Sequence, residues 1–356
     1  MKNITIIVGA RPNFMKVAPL LRLLDQQNNY STTLVHTGQH YDEKMSDVFF
    51  KDLDIRKPDY NLNVGSASHG VQTARIMEKF ELVCQEVSPN LLIVVGDVNS
   101  TMACSIVAKK LHIKVAHIEA GLRSNDRDMP EEINRLITDS ITDFFFVTEQ
   151  SGEDNLIREG HDKNNIFFVG NLMIDSLHYG LNKIRSKEKL FDEEYGLITL
   201  HRPSNVDDIK KLKDILDGLS YVSNEIKLFF SIHPRTEKKM KEYGISPSKN
   251  IEVLDSMPYL DFLQIMKNSK VIFTDSGGIQ EETTALKIPC YTLRENTERP
   301  VTISQGSNRL IGSEKINIIN SFKEFKFDIN SSYELPKGWD GNTSQRILQI
   351  LNKRLK

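Results

Sequence analysis

Short β-branched or aromatic runs alternate with longer stretches of helical periodicity from one end of the chain to the other, and this alternation constrains the fold most. Each short run is bounded by turn residues and followed by an amphipathic stretch, the pattern of a parallel sheet covered by helices on both faces. The first set of expected strands is 4–8, 32–36, 91–95, 114–118, 144–147 and 166–169. A second set, 197–200, 227–232, 251–254, 271–274, 289–293 and 309–311, follows a charged stretch at 187–195. Six strands in each set predict an α/β architecture of two Rossmann-like, doubly wound domains. At 356 residues the chain also exceeds the length at which single cores stop growing. The expected boundaries are 1–175 and 176–339. A last helix over 340–356, with Ile347, Leu348, Ile350, Leu351 and Leu355 at helical spacing and Thr343 as its cap, is set with the first domain, although its pattern permits either. Helix 69–87 carries Val71, Ala74, Met77, Leu82 and Val83, read as core or interface. Open α/β sheets bind ligands at the carboxyl ends of their strands, so a ligand is expected in a cleft between the two domains.

The 46 basic and 48 acidic side chains leave a formal charge of -2, which removes any whole-molecule attraction to nucleic acid or to an anionic membrane. An anion must then be held by a local cluster. Cys84, Cys104 and Cys290 lie far apart without CxxC spacing, so neither a disulfide framework nor a zinc finger is expected, and a reducing, cytoplasmic setting fits. No apolar run approaches the roughly 18 residues of a membrane span, and the N-terminal segment lacks a signal peptide's pattern.

The segment after the first strand, GARPNFMK (9–16), lacks the second glycine of a dinucleotide fingerprint and the GK[ST] ending of a P-loop. Arg11 and Lys16 nevertheless fall at a helix start, where two cations and the dipole suit a phosphate. A second anion candidate is DSGGIQEE (275–282): the amides of Ser276, Gly277 and Gly278 enter a helix after an apolar strand. Ser276 or Asp275 is the expected cap there, and Glu282, a turn further on, can accept from ribose hydroxyls. Asp97 and Glu119 end neighbouring strands, and Glu131 and Glu132 follow a polar loop, 123–130, long enough to fold over the same opening, with Pro130 in the next helix's first turn. Carboxylates arriving from separate segments make an acid/base set or a divalent-metal site. His201 with Arg202, and His233 with Arg235, close two strands of the second domain. His112 and His117 straddle a strand and lack the HExxH geometry of a zinc hydrolase.

Taken in order, GARPNFMK, TGQHYD, VGDVNST, HIEAGLRS with MPEEINR, TLHRPSN, SIHPR, DSGGIQEE and RENTERP resemble the non-hydrolysing UDP-N-acetylglucosamine 2-epimerases across nearly the whole chain. The resemblance implies a GT-B-like fold, with UDP held mainly by the second domain and the sugar facing the first. It assigns Asp97, Glu119, Glu131 and His201 to acid/base and leaving-group roles. To UDP it assigns Arg11, Lys16, His233, Ser276, Gly277, Gly278 and Glu282, with Arg202 and Arg299 as further contacts. It implies a UDP-sugar substrate, no cofactor or metal, and a homodimer. Three departures stand out: Pro203 and Ser204 follow the His-Arg pair, Val301 rather than Glu follows TERP, and Tyr41 and Asp42 follow TGQH, where members activated by a second UDP-GlcNAc carry another pattern. A 2-epimerase of a modified UDP-sugar, a hydrolysing epimerase, a GT-B glycosyltransferase and a silent UDP-sugar sensor are the competing readings.

Overall fold

A computed structural model describes residues 1–38, 50–184, 191–326 and 333–355, without the side chain of Arg11. The chain divides into two compact units, Met1–Tyr179 with Lys337–Lys356, and Gly180–Pro336.

The first unit is built on β1 (Lys2–Val8), β2 (Tyr30–His36), β3 (Tyr60–Asn61), β4 (Leu91–Val95), β5 (Lys114–Ile118), β6 (Phe144–Val147) and β7 (Ile166–Phe168). These form one parallel sheet in the order β3-β2-β1-β4-β5-β6-β7. Its helices are α1 (Arg11–Asp25), α2 (His69–Val87), α3 (Asn99–Lys110), α4 (Pro130–Ser140), α5 (Gln150–Arg158) and α6 (Leu172–Lys183), the last of which runs on into the second unit. Strand β4, LLIVV, is buried on both faces, as a central parallel strand must be. Six strands were expected here; the seventh, β3, is a two-residue edge strand whose sequence, Tyr-Asn, carries no periodicity to announce it.

The second unit holds β8 (Tyr195–Thr199), β9 (Lys227–Ser231), β10 (Ile251–Leu254), β11 (Val271–Thr274), β12 (Cys290–Thr292) and β13 (Asn308–Leu310), parallel in the order β10-β9-β8-β11-β12-β13. Between them run α7 (Pro203–Val206), α8 (Ile209–Val222), α9 (Pro234–Tyr243), α10 (Tyr259–Lys267), α11 (Gly277–Leu286), α12 (Val301–Ser304) and α13 (Lys315–Phe325). Its core packs Ile198, Phe230 and Phe273 of the sheet against Leu212, Leu219 and Phe322 of the helices.

The closing helix, α14 (Thr343–Arg354), belongs to the first unit. Thr343 is its first residue rather than its cap. Asp175 of α6 takes the capping part, accepting from the Thr343 and Ser344 amides at 3.1 and 2.8 Å and from Ser344 Oγ at 2.8 Å. Trp339, fully buried just before the helix, donates Nε1 to the Thr148 carbonyl at 3.2 Å, and the Tyr30 hydroxyl donates to Asn352 at 2.8 Å. In α2 the buried stripe is Gln72, Ile76, Phe80, Val83 and Cys84, while Val71, Ala74 and Leu82 face solvent. The expected set caught Val83 and Met77, which packs partly buried against the same core, while Val71, Ala74 and Leu82 fall off the core stripe. Among the described residues no helix is long and apolar enough to cross a membrane.

Candidate active site

In each sheet the strand order reverses once, and the loops at the carboxyl ends of the two strands beside the reversal form a ready crevice. In the first sheet those strands are β1 and β4; in the second they are β8 and β11. The sequence-predicted residues cluster at these two places.

At the β1/β4 switch, Asn13 in the first turn of α1 accepts from the Gly9 and Ala10 amides at 3.1 and 3.0 Å and donates to the Val95 carbonyl at 3.4 Å, tying the two strand ends together. One turn on, Lys16 donates Nζ to Glu119 Oε2 at 2.7 Å, with both side chains largely buried. Gly96 turns the chain at φ 68°, and a Cβ there would lie 3.6 Å from Glu119 Oε2 and 3.7 Å from Lys16 Nζ, so this glycine backs the pair. Glu119 itself holds φ 69°, a left-handed conformation rare outside glycine, supported by its amide donating to the Phe146 carbonyl at 3.1 Å. Asp97 is paired with Arg135 of α4, and Arg135 also holds Glu132 at 2.7 Å. Burial pushes the Glu132 carboxyl up, but donation by the Ser124 amide and by Arg135 holds it below the ordinary range. Glu132 thereby fastens the 123–130 loop. Glu131, half-buried on the first turn of α4, takes no part in the Lys16–Glu119 or Arg135–Asp97 pairs. The side chain of Arg11 and the TGQHYD segment beyond Gly38, including Tyr41 and Asp42, lie outside the described residues.

At the β8/β11 switch, the Thr199 and Thr274 hydroxyls meet at 2.6 Å beneath a fully buried Asp275. Asp275 does not cap α11. Its carboxylate accepts from the His201 and Arg202 amides at 3.0–3.1 Å and from Asn205 Nδ2 at 3.3 Å, and lies 3.1 Å from His201 Nδ1. Burial would raise its proton affinity, yet these donors, His201 foremost, keep it below the ordinary aspartate value. The His201 side chain, 41% exposed, is thus oriented from behind with Nε2 left for chemistry. His233 stands 5.7 Å from it, ring to ring, and accepts the Arg235 amide on Nδ1 at the start of α9. Ser276 occupies the N-cap position of α11 without a side-chain cap bond, and a Cβ at Gly277 would meet no protein atom within 4 Å. The Gly277, Gly278 and Ile279 amides are first-turn donors with no acceptor within the helix, an anion-binding arrangement. Glu282 is buried on the same helix, where burial pushes its carboxyl up to about 7 against the Tyr259 hydroxyl's donated bond at 2.8 Å. Arg202 donates Nε to the Asp275 carbonyl at 3.0 Å, and Arg299 pairs with Glu281 at 2.5 Å. Sequence alone offers Asp275 only as a possible cap and does not single out Asn13, Arg135 and Tyr259, each of which has a partner distant in the chain, in Val95, Asp97 and Glu282.

Among the described residues, no three His, Cys, Asp or Glu side chains are grouped as metal ligands. The model of a single family, UDP-N-acetylglucosamine 2-epimerase, matches residues 22–352. The UDP-N-acetylglucosamine 2-epimerase of Methanocaldococcus jannaschii is 41% identical, the alignment covering 98% of each chain. This chain belongs to the UDP-N-acetylglucosamine 2-epimerase family. A crystal structure of the M. jannaschii enzyme in complex with UDP-GlcNAc and UDP superposes with a TM-score of 0.90 at 40% identity, covering 99% of both chains. A relative of other stated specificity, the UDP-2,3-diacetamido-2,3-dideoxy-D-glucuronate 2-epimerase of Pseudomonas aeruginosa, is 37% identical over 99% of this chain and 100% of its own. Membership makes this protein an isomerase of the two-sheet, GT-B-like class.

Proposed function

We propose that the protein reversibly inverts C2 of a UDP-2-acetamido sugar, converting UDP-GlcNAc to UDP-ManNAc, in the cytoplasm, as a homodimer, to supply precursors of surface polysaccharide. The acetamido group at C2 cannot be oxidised to a ketone, and no adjacent carbonyl acidifies the C2 proton, so the leaving group must supply the driving force. The C2 proton passes to a carboxylate, its bonding pair forms the C1=C2 double bond of a 2-acetamidoglucal, and the C1–O pair departs with UDP. Return of UDP to C1, with a proton delivered to the opposite face of C2, completes the inversion. Asp97, Glu119 and Glu131 supply base and acid and stabilise oxocarbenium-like charge at C1. His201, held by Asp275, together with the Gly277 and Gly278 amides, takes up the charge growing on UDP, the Ser276 amide being taken by Thr274 Oγ1 at 3.0 Å, and Ser276, Arg11, Lys16, His233, Arg202, Glu282 and Arg299 complete its contacts.

What supports the reading most is the Lys16–Glu119 pair on its glycine floor at the first switch point, answered at the second by a buried aspartate that aims a histidine beside an open helix start. Incubation with UDP-GlcNAc in heavy water tests it: deuterium at C2 with the nucleotide retained is expected. Glu119→Gln should lower that exchange about 100-fold or more and leave UDP affinity within about threefold. UDP-GlcNAc returned unlabelled from the native enzyme would remove this substrate. In that event the 37% identity to the diacetamido-glucuronate epimerase directs the same assay to 3-acetamido and uronate sugars.

A further inference from the structure

We infer that His117, the penultimate residue of β5, is a positioning residue that fixes the Gly96–Asp97 and Glu119–Gly121 turns relative to one another. The inference rests on the epimerase reading for its catalytic consequence.

His117 is fully buried. Its Nδ1 lies 2.6 Å from Asp139 Oδ1 and its Nε2 lies 2.9 Å from the Gly96 carbonyl. A carbonyl can only accept, so Nε2 carries a proton. Asp139 Oδ2 accepts from the Gly121 amide at 3.0 Å and pairs with Arg123 Nη1 at 2.7 Å. Burial would push the Asp139 carboxyl up, but His117 and Arg123 hold it below the ordinary aspartate value. Arg123 continues to the exposed Glu159 with bonds of 2.9 and 2.6 Å. The other charged groups at this place lie beyond Gly96: the Lys16–Glu119 and Arg135–Asp97 pairs.

The Gly96 peptide is gripped from both ends by β5, its amide donating to the Ile118 carbonyl at 3.1 Å and its carbonyl accepting from His117. Asp139 fastens the Gly121 amide with the oxygen that His117 leaves. One histidine–aspartate pair thus sets the floor on which Glu119 and Lys16 meet. A glutamine has one terminal nitrogen where the ring has two on separate edges, so it cannot span Asp139 and the Gly96 carbonyl as the imidazole does. Misplacement of this order costs catalysis up to about 100-fold without loss of binding.

In the native enzyme with ¹⁵N-labelled histidine, His117 Nε2 is expected to carry a proton hydrogen-bonded to the Gly96 carbonyl; an unprotonated Nε2 overturns the inference. In His117→Gln and Asp139→Asn, kcat is expected to fall about 10- to 100-fold with KM changed less than about threefold. A loss under threefold in both variants, or a rise in KM that matches the fall in kcat, overturns the positioning role. Should one variant fail to fold, the other variant and the Nε2 proton of the native enzyme still decide. Absence of C2 exchange in the native enzyme would instead count against the epimerase reading alone.

Discussion

Glu282 is a carboxyl that folding makes harder to ionise. Its proton affinity rises from the ordinary 4.5 to about 7, because burial on α11 outweighs the single bond from Tyr259. A raised carboxyl contributes stability below its unfolded value and loses that contribution as pH climbs through the folded one. Between pH 5 and pH 8 the native protein should therefore lose stability that Glu282→Gln does not. The unfolding free energy of Glu282→Gln relative to native, from urea titration, should rise with pH by on the order of 3 kcal/mol at most; a constant difference would show that Glu282 is not held in this way. Residues of this kind mark where reading a sequence reaches its limit. Glu282 was legible as a polar position one turn into a glycine-rich helix start, and its burial was not, because Tyr259 lies 23 residues upstream. Asp97, Glu119 and His201 were legible for a different reason. Each stands within two residues of the carboxyl end of an apolar strand, the edge at which open parallel sheets bind ligands.

Elements followed the sequence closely wherever an apolar run was long or symmetric. Strands β4, β5, β6, β10 and β11 begin and end at the residues their patterns predict, and α2 spans 69–87 as expected. The misses share one cause, which is that the deciding contact comes from elsewhere in the chain. β3 exists because β2 offers it an edge, with Val35 opposite Tyr60. The α14 cap likewise comes from Asp175, 168 residues earlier, rather than from Thr343. Asp175→Ala leaves two amides at a buried helix start without an acceptor. It should cost about 1–2 kcal/mol, read as a lower thermal midpoint, whereas Thr343→Val should cost less. Equal losses would return the cap to Thr343.

The whole molecule is organised as one unit interrupted by another, since residues 180–336 lie between two pieces of the first. The returning piece buries Trp339, Ile347 and Leu351 completely. Large buried side chains of this kind are worth about 2–5 kcal/mol each when truncated, so their joint loss is comparable to the whole stability of a domain. A chain ending at Pro336 should show fast amide hydrogen exchange throughout β1, β2 and β4, while β8 and β11 stay protected and UDP still binds. Protection retained in the first sheet would mean that the returning piece is dispensable. Order of synthesis acquires a meaning from this layout. A ribosome completes everything the second sheet requires while the first sheet, although made earlier, still waits for its closing helix. The strands translated first are thus the last to be sealed, and through that interval they present unfinished apolar surface to whatever escorts the nascent chain.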